Sequence, residues 1–103
     1  MTGAQLNAAL HTALFGKKVH WEADWPLDDA TRCDLPDYSG SWRGMKWVVD
    51  AMRSLGFSGD ITWDADHFGV AFQDPKGTVT HREGEQAPET MAEAALAALG
   101  VRP

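Results

Sequence analysis

Three short runs in the second half of the chain repeat with a period of two, and they constrain the fold more than any other feature. Ile61 and Trp63 alternate with Thr62 and Asp64; Phe68, Val70 and Phe72 alternate with Gly69, Ala71 and Gln73; Val79 and His81 alternate with Thr78 and Thr80. Successive side chains of a strand point to opposite faces, so each run reads as a strand with one apolar face. Asp64-Ala65-Asp66-His67 and Asp74-Pro75-Lys76-Gly77 separate the runs with turn chemistry, which leaves antiparallel neighbours as the natural pairing. A three-stranded antiparallel meander is expected, and its apolar face needs a covering layer.

The flanking segments supply helices for that layer. Thr2-Gly3-Ala4-Gln5 has the spacing of a capping box, followed by a stripe of Leu6, Leu10 and Leu14 with Ala9 and Ala13, up to Gly16. Ser39 or Ser41 is the expected N-cap of a second helix. Trp42, Met45, Val48, Val49, Met52 and Leu55 fall on one side of it, Arg43, Lys46, Asp50 and Arg53 on the other, and Gly56 ends it. Trp47 lies off this stripe. A third helix opens at Pro88 and Glu89 and buries Met91, Ala92, Ala95, Leu96 and Leu99 before Gly100. At 103 residues the chain has room for one core. The expectation is a single domain over residues 1–103: an α+β fold with the sheet layered between helices as an α/β/α sandwich.

Residues 17–38 follow no period. This stretch is read as a long irregular loop, carrying Pro26, Pro36, Trp21, Trp25 and Tyr38. Aromatic side chains of that size are costly to leave in water, so the loop is expected to fold back on the body or grip a partner. Its acids Glu22, Asp24, Asp28, Asp29, Asp34 and Asp37 face only Arg32 between Trp21 and Tyr38.

Three stretches together resemble the phage ABA-sandwich domain family, small proteins of tailed-phage and prophage genomes. They are Leu6–Trp21 (LNAALHTALFGKKVHW), Leu35–Met52 (LPDYSGSWRGMKWVVDAM) and Ala87–Leu99 (APETMAEAALAAL). Tyr38, Ser39, Val48 and Val49 fit the middle motif, whereas Gly40 and Ser41 stand where the family has Thr-Asp, and Trp47 is shifted by one. The resemblance implies an antiparallel sheet between helices and carries over no catalytic residues. With no export signal at its start and a single cysteine, the chain is expected in the host-cell cytoplasm.

Composition narrows the partners. A net charge of -6 and a sequence pI near 5.0, with Lys and Arg scattered, make direct nucleic-acid binding unexpected. No apolar run approaches the ~18 residues of a membrane span, and MTGAQLNAAL has neither a basic start nor a long apolar stretch. Cys33, the single cysteine, is read as an inert, partly buried thiol that excludes an internal disulfide. His11 is read as structural or exposed.

No phosphate-cradling glycine loop, nucleophile elbow or HExxH motif occurs. The acid pairs Asp28-Asp29, Asp64 with Asp66 and Glu83 with Glu85 are explained by turns, so no enzyme and no cofactor are expected. His20 with Asp24 and Cys33, or Asp66 with His67 and His81, lack a recurring ligand spacing, so no metal is expected. Binding has more support. Trp21, Trp25, Tyr38, Ser39, Trp42, Arg43 and Trp47 cluster around the loop and the second helix's start, where a helix N-terminus, an Arg and aromatic faces suit a nucleotide-like molecule. Alternatively these aromatics close the core. The acids Asp24, Asp28, Asp29, Asp34 and Asp37 suit a basic surface of a host protein. Trp47 is the expected contact for a protein or for a homo-oligomer, its alternative place being against the loop. An anti-defence role by sequestration or blockade is the leading expectation, and an accessory structural or oligomerising phage protein the alternative.

Overall fold

The capping box forms as its spacing predicts: the Thr2 hydroxyl accepts from the Gln5 N–H at 3.2 Å and the Gln5 Oε1 from the Thr2 N–H at 2.8 Å. In the computed structural model, which describes residues 1–101, this cap opens α1 (Gly3–Ala13). The other elements are β1 (Val19–Glu22), β2 (Trp25–Asp28), α2 (Trp42–Ser54), β3 (Ser58–Trp63), β4 (Phe68–Gln73), β5 (Val79–Gly84) and α3 (Ala87–Ala98).

The meander is present, antiparallel and in the order β3-β4-β5. Val70 and Phe72 of the central strand point into the core, and α3 lies across β4 and β5. Ala92, Ala94 and Ala95 are wholly buried, because their small side chains let the helix approach both the sheet and its neighbours. On its far side α3 is held by α1 and α2. The architecture is thus α+β and sandwich-like, with α3 the shared inner layer and Leu6, Leu10, Val48, Met52, Val70 and Met91 at its centre.

One pair of alternatives is decided and two expectations need correction. The second helix is capped by Ser41, whose hydroxyl accepts from the Gly44 N–H at 2.9 Å; Ser39 is buried and spends its hydroxyl on Asn7 Oδ1 at 2.8 Å. Met45, Val48 and Met52 of the apolar stripe are buried, but Trp42 and Leu55 at its ends are exposed, since the stripe overhangs its cover. Likewise Ile61 and Trp63 share a face with their β4 partners Val70 and Phe68, yet they are exposed because α3 stops short of β3.

Residues 17–38 are more regular than their pattern suggested. β1 and β2 form a hairpin with Val19 opposite Asp28 and Glu22 opposite Trp25, and Leu27 bridges on to Asp34. Its two-residue turn, Ala23-Asp24, puts Ala23 at φ 50, a left-handed conformation that costs a residue with a Cβ about 1–2 kcal/mol. Glycine would relieve this while adding ~0.4–1 kcal/mol of unfolded-chain entropy. Ala23→Gly is therefore expected to raise stability by about 0.5–1 kcal/mol, read as a higher urea midpoint with an unchanged m-value.

Candidate functional site

The hairpin is tied to α1 by a buried polar chain. His11, in the last turn of α1, has its Nε2 2.7 Å from Asp28 Oδ2 and its Nδ1 3.0 Å from the Tyr38 hydroxyl. An ionised carboxylate only accepts, so in the neutral ring Nε2 carries the hydrogen and Nδ1 accepts from Tyr38. The His11 bond, followed by the Thr31 and Ala30 N–H groups, holds the Asp28 carboxyl at a pKa of about 2. Burial, and then the negative charge of Asp28, push the Tyr38 phenol up to about 12. Phe15 stacks on the Tyr38 ring at 4.8 Å and Trp47 meets it edge-on at 6.3 Å.

Beside this chain runs a groove of about 700 Å3, bordered by Phe15, Lys17, Lys18, Asp29, Thr31 and Trp47. Its interior polar atoms are already paired, as are all buried side-chain nitrogens and oxygens among the described residues. Both His11 nitrogens are occupied, so the ring has no free atom with which to act on a substrate in the groove. No set of three or more His, Cys, Asp or Glu among the described residues is placed to hold a metal ion. Cys33, expected to be partly buried, is exposed, with its Sγ donating to the Thr31 carbonyl at 3.7 Å.

Of the aromatic residues that cluster in sequence, Tyr38 and Trp47 stay in contact at one groove, and the others separate in space. Tyr38 is 3% exposed and Ser39 6%; Ser39 is interior, whereas Tyr38, although buried, borders the groove together with Trp47, Asp28, Asp29 and Asp34. The register Trp21 to Pro26 and Glu22 to Trp25 puts Trp21 and Trp25 on opposite faces of the hairpin. Trp42 leans edge-on against Phe68 at 6.2 Å, and Arg43 next to it is exposed. The five tryptophans, Trp63 among them, are 42–74% exposed, so none is a core residue.

The acids divide as well. Asp28, partly buried, bonds to His11, and Asp37 accepts from Asn7 Nδ2 and the Gly40 N–H. Asp29 pairs with Arg32 at 3.7 Å. Asp24 is exposed at the hairpin tip, and Asp34 accepts from the Trp25 indole N–H at 2.8 Å. Sequence reasoning missed the His11–Asp28–Tyr38 chain because its members lie 17 and 27 residues apart and no spacing motif joins them.

Fold and surface define a small α+β domain that displays tryptophans and acids on a hairpin. Its fold is shared with a phage protein from Bacillus cereus, whose crystal structure matches with a TM-score of 0.76 at 22% sequence identity, covering 100% of this chain and 92% of that one. No family model and no curated protein matches the chain. Among the described residues no helix is long and apolar enough to cross a membrane.

Proposed function

We propose that the chain is a phage-derived, non-enzymatic binding protein of the ABA-sandwich type, which interferes with a host process by covering a basic protein surface with its β1–β2 hairpin. The observation that carries this reading is Trp25: 57% exposed, its indole fixed by Asp34 and flanked by the exposed Glu22 and Asp24. A large, oriented aromatic inside a ring of like charge is suited to anchoring on an Arg- or Lys-lined surface. The interior positions of Tyr38 and Ser39 weigh against the other branch, a stacked nucleotide-like molecule at the start of α2. Nor is the Gly44 N–H free there for an anion, since Ser41 already takes it.

The test is affinity capture from host lysate with the wild-type protein and Trp25→Ala, followed by titration of the purified target. Trp25→Ala is expected to weaken binding by about 30-fold, the ~2 kcal/mol of an aromatic anchor. Adding salt from ~0.05 to ~0.3 M should weaken it further as the charges are screened. Equal capture by both proteins with no salt dependence would remove the hairpin from the interface. A parallel thermal-shift screen against infected-cell nucleotide extracts separates the second reading: a nucleotide that raises the melting temperature favours sequestration, with the groove beside Lys17 and Lys18 as its seat.

A further inference from the structure

We infer that β3 is a self-association edge, through which two copies join their sheets into one continuous antiparallel sheet about a twofold axis at Ile61. The inference concerns a different surface from the hairpin and stands independently of it. Three observations converge on the same register.

The first is the backbone. The Asp64 N–H donates to the His67 carbonyl at 3.0 Å, which fixes the hydrogen-bonded positions of β3. Counting back by two, Thr62, Asp60 and Ser58 exchange their bonds with β4, while Trp63, Ile61 and Gly59 direct theirs to the open edge. Pairing about Ile61 sets Ile61 opposite the second copy's Ile61 and Gly59 opposite the second copy's Trp63. These are the positions with free N–H and C=O groups, so the hydrogen-bond pattern and the twofold symmetry agree.

The second is the side chains. In this register the apolar face carries Ile61 against Ile61 and Trp63 against Gly59, and the other face carries Asp60 against Thr62, whose hydroxyl can donate to the carboxylate. Gly59 also borders a hollow of about 310 Å3 between α2 and the sheet, lined by Val49, Arg53, Phe57, Phe72 and Met91. Trp63, 74% exposed in the single chain, is brought beside Gly59 to the mouth of that hollow in the second copy.

The third is the contrast between the two edges. β5 displays His81, Arg82 and Glu83 in succession, the charged pattern that discourages edge pairing. β3 (SGDITW) has only Asp60, and the register moves it off its own copy. Covering the strand edge, Ile61, Trp63 and the rim of the hollow on both copies buries roughly 1,000 Å2, near the lower bound of specific interfaces. The dimer is therefore expected in the micromolar range despite the net charge of -6 on each chain.

Analytical ultracentrifugation of the full chain from about 1 to 200 μM should show a concentration-dependent monomer–dimer equilibrium. Trp63→Glu should hold the protein monomeric at an unchanged melting temperature in dilute solution, because the side chain is mostly in water already. With Cys33→Ser as background, Ile61→Cys should oxidise to a covalent dimer. Thr62→Cys should not, since facing copies lie about 7–8 Å apart diagonally, beyond disulfide reach. Any of three results overturns the inference: a wild-type monomer at every concentration, a dimer that survives Trp63→Glu, or cross-linking of Thr62→Cys in preference to Ile61→Cys. An edge taken by a foreign strand while the chain itself stays monomeric overturns it equally.

Discussion

Gly44→Ala is expected to destabilise the protein by about 2–4 kcal/mol, although the same change in an open helix stabilises by ~1 kcal/mol. The sign is decided by what a new Cβ would meet: the Asp37 carbonyl oxygen at 2.0 Å, its carbon at 2.7 Å and the Tyr38 Cα at 2.7 Å. All three are backbone atoms, so no rotamer change relieves the clash. Moving α2 away from residues 37–38 loosens two further features. The Ser41 hydroxyl, which caps α2, donates to that same Asp37 carbonyl at 2.8 Å, and Tyr38 is buried directly beyond. Overpacking costs ~1–3 kcal/mol or more and a weakened cap ~1 kcal/mol, which together exceed the gain in helix propensity. At ~4–8 °C per kcal/mol for a chain of this size, the melting temperature should fall by roughly 10–25 °C. Gly3→Ala is the control, because a Cβ there meets only the Ser39 hydroxyl at an ordinary 3.6 Å. If both variants melt within a few degrees of wild type, the close approach of α2 to residues 37–38 is wrong.

The contact at Gly44 illustrates what a linear pattern conveys and what it does not. The three helices and the meander were legible because each carries its own period and its own punctuation: the Thr2–Gln5 box, Gly56, the turns at 64–67 and 74–77, Pro88. The β1–β2 hairpin was not. Its turn is Ala23-Asp24 rather than a pair containing Gly or Asn, Pro26 sits inside a strand, and acids interrupt the alternation. An apolar stripe states which side of a helix faces the core, but not how far the neighbour extends. That is why Trp42 and Leu55 overhang α2, and why Ile61 and Trp63 lie on the inner face of the sheet without cover. The candidate site is the least legible part, because closeness in sequence is not closeness in space: Tyr38, Trp47 and Asp34 border one groove, whereas Trp21 and Trp42 do not. A two-residue turn with strict alternation sends Trp21 and Trp25 to opposite faces, and Tyr38 turns inward to a histidine 27 residues away.

That inward turn sets the last prediction: His11 is worth more to stability than any exposed residue of the hairpin. Removing its ring in His11→Ala leaves the Tyr38 hydroxyl without a partner in a buried place, a cost of ~1–3 kcal/mol. The hole left by the imidazole adds to this, for a total of about 3 kcal/mol. Tyr38→Phe strands the His11 Nδ1 instead, at a cost of about 1–2 kcal/mol. Because the two groups satisfy each other, the double variant should be less damaged than the sum of the singles, with a coupling of ~1 kcal/mol in a thermodynamic cycle. Strictly additive losses would mean that the two side chains do not bond. The pH dependence follows from the same chain. Asp28 is held at about 2 against an ordinary 3.8, so between those values the unfolded chain binds a proton that the folded one refuses. Its contribution is complete above the unfolded value and is lost as pH falls through about 2. Tyr38 is the reverse case: raised to about 12 from 10.0, it keeps in the folded state a proton that the unfolded chain releases. That contribution is complete below about pH 10 and is lost as pH rises toward 12. Melting temperatures recorded from pH 2 to 12 should therefore fall at both ends. Tyr38→Phe should remove its share of the alkaline fall. Asp28→Asn should reduce the acid fall without abolishing it, because Asp64, lowered by the Asp66 and His67 N–H groups, titrates in the same direction. An alkaline limb unchanged in Tyr38→Phe would show that the phenol is not buried against Asp28, while the His11–Asp28 bond that fastens the hairpin to α1 is read from the acid limb.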